Sequence, residues 1–141
     1  MIAASRTISA PPERVFDFLS DLHNHWRLEP HLVELQHVDP DGDGGRVRLR
    51  GPFGLGRTAL TRVEEGVPGS RVRGRADIGQ GTVGRVAWDI EPAGGGSRIA
   101  LSAVVERAGL LDRLILALGG RRYLRQILAR TLENLERELA D

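Results

Sequence analysis

Alternation of apolar and polar positions dominates the middle of this chain. Val72, Gly74, Ala76 and Ile78 alternate with Arg71, Arg73, Arg75 and Asp77. Val86, Trp88 and Ile90 alternate with Arg85, Ala87, Asp89 and Glu91, and Ile99, Leu101, Ala103 and Val105 form a third set. A period of two puts the two sets on opposite faces of a strand, so these segments predict β-strands with one wet and one apolar face. Strands are expected over residues 2–9, 32–39, 46–50, 57–65, 71–78, 83–92 and 98–107. The breaks from the second strand onward are short and glycine-rich, as in Asp41-Gly42-Asp43-Gly44-Gly45, Gly66-Val67-Pro68-Gly69 and Ala93-Gly94-Gly95-Gly96. That is hairpin chemistry, and consecutive hairpins predict an antiparallel meander.

The period changes to helical in two places. Val15, Phe16, Phe18, Leu19 and Leu22 recur at three-to-four spacing after Pro11-Pro12-Glu13. Proline is tolerated in a first helical turn, and an acidic residue suits its positive end. Residues 23–30, which include Trp26, predict a short helix or turn stopped by Pro30. Near the C-terminus, Leu124, Ile127, Leu128, Thr131, Leu132, Leu135 and Leu139 make one stripe of a long helix, and arginines and glutamates occupy much of the rest. The stretch from Leu110 to Leu118 is apolar nearly all round apart from Asp112-Arg113, and Gly119-Gly120 predicts a kink after it. The expected fold is α+β: a curved seven-stranded antiparallel sheet wrapped around a long C-terminal helix. Two short helices lie between strands 1 and 2, in a single domain over residues 1–141. Small residues at Gly74, Ala76, Gly84 and Ala103 leave room between sheet and helix. On the residues alone, a filled core and a hollow both stay open.

Composition narrows the chemistry. A chain of 141 residues buries about 70% of its unfolded surface and needs no staples. With no cysteine there are no disulfides, thiolate metal sites or cysteine nucleophile. All twenty basic residues are arginine, which excludes lysine Schiff-base chemistry. A net charge of +1 offers no field for nucleic acid, so no nucleic-acid partner is expected. The first residues lack the pattern of a signal peptide, and the apolar stretch from Leu110 to Leu118 is too short to span a bilayer. A soluble, cytoplasmic protein is the expectation.

Three motifs resemble sites and are read as turns or surface. Gly79-Gln80-Gly81-Thr82-Val83-Gly84 matches a dinucleotide fingerprint, but a strand follows where a helix must present its N-terminus to the pyrophosphate. Asp39, Asp41 and Asp43 begin like a calcium loop, yet the twelfth position is Arg50. His23, His25, His31 and His37 cluster in sequence without zinc spacing, so surface or capping roles are expected. His31 or His37 pointing inward would be a general-base candidate. No metal or cofactor is expected.

Local motifs carry a resemblance across nearly the whole chain. The segment Ala10-Pro11-Pro12-Glu13-Arg14-Val15-Phe16-Asp17-Phe18-Leu19-Ser20-Asp21 resembles the opening of the polyketide cyclase/dehydrase and lipid-transport family, within the START-like, birch-allergen-like superfamily. Trp26 followed by Pro30, the Trp88-Asp89-Ile90-Glu91-Pro92 hairpin with Gly94-Gly95-Gly96-Ser97-Arg98-Ile99, and the closing helix from Thr131 to Leu139 are similar to that family as well. The resemblance implies the helix-grip fold and a deep cavity between sheet and C-terminal helix holding a lipid, polyketide or similar apolar molecule. On that basis the expected lining is Phe18, Leu49, Leu60, Trp88, Leu101, Leu116, Tyr123 and Ile127, with Trp26 and Phe53 as further aromatic contacts. An enzyme of the cyclase or dehydratase type is the alternative; spacing marks no acid–base pair, and alternation parity suggests His31, Arg62, Glu64 and Tyr123. For the stretch from Leu110 to Leu118, with Arg121, Arg122 and Arg125 behind it, a pocket lid, a homodimer contact and a transient membrane-surface contact all stay open.

Overall fold

The computed structural model describes residues 1–25, 27–28, 33–50, 56–79 and 81–140. β1 (Ile2–Ile8), α1 (Pro12–Leu19) and α2 (Leu22–His25) come first. Six strands follow: β2 (Val33–Val38), β3 (Gly44–Arg50), β4 (Gly56–Val67), β5 (Arg71–Gly79), β6 (Thr82–Ala93) and β7 (Gly96–Arg107). Then come α3 (Leu110–Ile115), a wide π-type turn (Leu116–Gly120) and α4 (Arg121–Leu139). The strands form one sheet in the order β1-β7-β6-β5-β4-β3-β2, with every neighbouring pair antiparallel. The expected α+β helix-grip architecture is therefore the observed one.

Turn chemistry and bulges shape the sheet. Between β6 and β7 the loop is Gly94-Gly95, with φ of 53° and 94°; a two-residue hairpin of this kind needs positive φ at both positions. Register shifts occur between Leu35 and His37, Val63 and Glu65, Asp77 and Gly79, and Val83 and Gly84. Each bulge bends its strand and adds twist, so long strands curl into a concave face. α1 and α4 occupy that face.

One end of the concave face is densely packed. Val15 and Leu19 of α1, Val72, Trp88, Ile90, Ile99 and Leu101 of the sheet, and Leu132, Leu135 and Leu139 of α4 form a continuous buried cluster. Ser97 is wholly buried, and its hydroxyl donates to the Ala10 carbonyl at 2.7 Å, pinning the corner between β1 and α1. α4 is fixed beside β1 by Arg6, which donates to Glu136 at 2.9 Å, and to the segment after α2 by Asn134, which donates to the Leu28 carbonyl at 2.5 Å. The expected kink is present: Gly119 has φ 106°, a conformation that only glycine adopts without strain. Among the described residues no helix is long and apolar enough to cross a membrane.

Candidate functional site

Burial falls off along the concave face. Two anchors fix how α4 runs over it: Glu136 lies at Arg6, whereas Asp112 of α3 reaches Thr82 and Arg57 at the far end of the sheet. In α4, Thr131, Leu132, Leu135 and Leu139 are buried, but Tyr123, Leu124, Ile127 and Leu128 are only half-buried. The sheet shows the same change. Trp88 and Leu101 are buried, and the next inward positions, Val86 and Ala103, together with Gly74 and Ala76 of β5, are only half-buried. Inward-facing residues under a helix stay accessible only where the two layers do not close on each other. Small side chains supply the reason, since glycine and alanine cannot fill the gap to the helix. These half-buried inward positions lie next to the buried Trp88 and Leu101 and mark where sheet and helix pack less closely.

A polar cluster stands at the rim. Arg57 of β4 donates to Asp112 at 2.6 Å, and their side chains are only 17% and 16% exposed. The buried Thr82 hydroxyl also donates to Asp112 and accepts from the Gly109 amide at 3.0 Å. Burial raises the Asp112 carboxyl, but the hydrogen bonds from Arg57 and Thr82, with the guanidinium charge, outweigh it and hold the carboxyl below its ordinary value. This cluster ties α3 to two strands. Nothing in the spacing of Arg57, Thr82 and Asp112 marked it; the one hint is that Asp112 is the only acidic residue in an otherwise apolar and basic stretch.

At the packed end lies an inward histidine. His25 contacts the Leu19 carbonyl and meets Trp88 edge-on, with ring centroids 6.1 Å apart. Burial lowers its pKa, only partly offset by the Leu19 hydrogen bond and the Asp21 charge, so the ring is held neutral. His37, the alternative inward candidate, is instead on the outer face, opposite Arg46 and 3.5 Å from Asp39.

The remaining expected residues separate by strand parity. Phe18, Leu49, Leu116, Tyr123 and Ile127 are half-buried, while Trp88 and Leu101 lie in the buried core. Leu60, Arg62 and Glu64 do not face the interior. The inward positions of β4 are Arg57, Ala59, Thr61 and Val63, and a one-residue change of parity sends the other set outward. Leu60 is 60% exposed, Arg62 donates to Asp41 at 2.6 Å, and Glu64 pairs with Arg85. The inward set of β4 begins with the charged Arg57, so alternation along this strand turns Leu60, Arg62 and Glu64 outward. Trp26, His31 and Phe53 lie outside the described residues.

Arg62 also accounts for the calcium-like turn, since its guanidinium occupies Asp41 and reaches Asp39 at 3.8 Å. Among the described residues no three metal-ligating side chains converge. A separate open cleft of about 320 Å³ lies between Phe16 of α1 and the β4–β5 hairpin, rimmed by Glu64, Glu65 and Asp43.

The sequence model of the family described as "Polyketide cyclase / dehydrase and lipid transport" matches residues 2–140. The chain belongs to this polyketide cyclase/dehydrase and lipid-transport family. Solved structures share the fold. The protein TTHA0849 from Thermus thermophilus is 26% identical, with a TM-score of 0.70 and coverage of 96% of this chain and 94% of that one. The KanY protein, solved in solution, superposes with a TM-score of 0.75 at 18% identity, covering 96% of this chain and 94% of its own. Ara h 8.0201 has a TM-score of 0.64 at 16% identity, covering 97% of this chain and 95% of its own. No curated protein matches the chain. The family match runs through all seven strands and the C-terminal helix in one domain-length alignment.

Proposed function

We propose that this family member binds a small hydrophobic molecule, of lipid or polyketide type, in the recess between the open end of the sheet and the N-terminal half of α4. The observation that carries the reading is the burial gradient: Val86, Ala103, Tyr123 and Ile127 face inward yet stay half-accessible, beside a tightly packed Trp88 and Leu101. Phe18, Leu49, Leu116, Tyr123 and Ile127 are the proposed contacts, and Trp88 and Leu101 the floor. Affinity would come from apolar burial, at about 25 cal/mol per Å² removed from water, with the Tyr123 hydroxyl available to orient a polar end. The family's description, which names lipid transport, supports the same reading. Binding would take place in the cytoplasm.

Cyclisation is the second reading and rests on the other half of that description. It needs an acid–base pair within the recess. Arg62 and Glu64 are engaged in ion pairs on the outer face, which favours binding over chemistry.

The test fills the recess. Native mass spectrometry should detect a co-purifying apolar molecule, and a fluorescent fatty acid should bind the purified protein. Ala103→Phe and Ile127→Trp, alone and together, should weaken the fluorescent probe at least about tenfold while leaving the thermal midpoint within a few degrees. A wild-type protein that binds no apolar probe, or filled variants that bind it equally well, would sink the proposal.

A further inference from the structure

α3 is amphipathic in the reverse of the usual sense. Asp112 turns toward the sheet, where Arg57 and Thr82 hold it. A helix advances about 100° per residue, so Leu110 and Leu114 fall on the side opposite Asp112. They are 86% and 55% exposed, and Leu118, where the backbone leaves helical geometry, is 74% exposed. Helices on the surface of soluble proteins bury such leucines and expose their charges. Here the anchored carboxylate turns Leu110 and Leu114 to the outside, and the exposed Leu118 follows in the turn after the helix.

The surroundings of that ridge are basic. From Arg113 to Leu132 the chain carries five arginines and no acidic residue, whereas Glu133, Glu136 and Glu138 are confined to the far end of α4. Arg113, Arg121 and Arg122 are exposed. A second copy of the chain would set these arginines against one another. A ridge of nine residues, about 14 Å long and about 10 Å wide, offers on the order of 140 Å², well short of the roughly 800 Å² per partner of a stable interface. A short convex ridge of leucines with arginines beside it matches the requirements of an anionic bilayer surface.

We propose that α3 and the turn after it dock the open end of the molecule on an anionic lipid surface, with Leu110, Leu114 and Leu118 entering the acyl boundary and Arg113, Arg121 and Arg122 meeting headgroup phosphates. Docking in this way faces the recess toward the bilayer, so an apolar ligand can pass between them without crossing water. The inference rests on the ligand-binding reading for its cargo and stands independently of it for the surface contact.

Co-sedimentation tests it with vesicles of phosphatidylcholine containing about 30 mol% phosphatidylglycerol, against vesicles of phosphatidylcholine alone. The wild-type protein should partition at least about tenfold more strongly onto the anionic vesicles, and less so as salt rises from about 0.1 M to 0.5 M. Leu110→Ser with Leu118→Ser should reduce partitioning about tenfold without moving the thermal midpoint, because both side chains are already exposed. Arg121→Gln with Arg122→Gln should remove most of the preference for anionic lipid. Failure of the wild-type protein to sediment, or equal sedimentation of the leucine variant, overturns the proposal. A dimer in sedimentation equilibrium that disappears with the leucines, without vesicle binding, overturns it in favour of a second copy. Binding of the fluorescent fatty acid, measured without vesicles, separates the two readings: if it persists while vesicle binding fails, only docking falls; the opposite result removes only the ligand reading.

Discussion

Asp112→Ala cuts the cluster that ties α3 to the sheet, and its cost can be worked from the geometry. The pair is short, at 2.6 Å, and its side chains are 17% and 16% exposed. Ion pairs at the surface contribute under about 1 kcal/mol, and removing one partner of a fully buried pair costs about 3–5 kcal/mol. A mostly covered pair at the rim falls between these limits, at about 2 kcal/mol. Thr82, a residue only 4% exposed, also loses the acceptor of its hydroxyl, which adds about 1 kcal/mol. The expected loss is therefore about 3 kcal/mol in urea unfolding at neutral pH. A double-mutant cycle with Arg57→Met should give a coupling energy above about 1 kcal/mol. The sign with pH follows from the depressed carboxyl. Its contribution is present above the unfolded value of about 3.9 and is lost as pH falls through the folded value, so wild type and variant should converge in acid. Amide exchange at residues 110–118 should quicken in the variant while the end of α4 stays protected. A coupling energy under about 0.5 kcal/mol, with exchange in α3 unchanged, would refute the reasoning.

Two further outcomes can be checked. His25 is held neutral by burial, so stability is complete above the unfolded value of about 6.5 and declines as pH falls below it, until the depressed folded value is passed; in His25→Gln, chemical denaturation between about pH 6.5 and pH 5 should lose that part of the slope, and an unaltered slope would contradict it. Gly96→Ala places a Cβ 2.0 Å from the Ile8 carbonyl oxygen and 2.9 Å from the Ser9 Cα, so β1 must move off β7 at a cost of about 3 kcal/mol or more. Gly84→Ala, whose Cβ would sit 3.6 Å from the Val104 carbonyl, is the control; equal midpoints for the two would rule out the clash.

Much of the fold was legible because its cues are local. Alternation at Arg71 to Ile78 and at Arg85 to Glu91 places strand faces without knowledge of any partner, and Gly94-Gly95 specifies its own hairpin. Pro12 and Glu13 mark the start of α1, and Gly119 marks the kink, for equally local reasons. The site was less legible. Parity of β4 depends on which face meets the core, and Leu60 pointed the wrong way because the inward set starts at Arg57. The inward orientation of His25 depends on Trp88, far away in the chain, so nothing near it in sequence discloses the contact.

By itself, the order of periods and turns determined an antiparallel sheet gripping a long helix, since both are backbone-level consequences of neighbouring residues. Only the tertiary structure decided where that grip closes and where it stays open. It did so through contacts between segments distant in sequence: Arg6 with Glu136 at the packed end, and Arg57 and Thr82 with Asp112 at the rim. The second of these turned the leucines of α3 outward. A stretch that is apolar nearly all round has no preferred buried face of its own, so a single anchored carboxylate was enough to choose one.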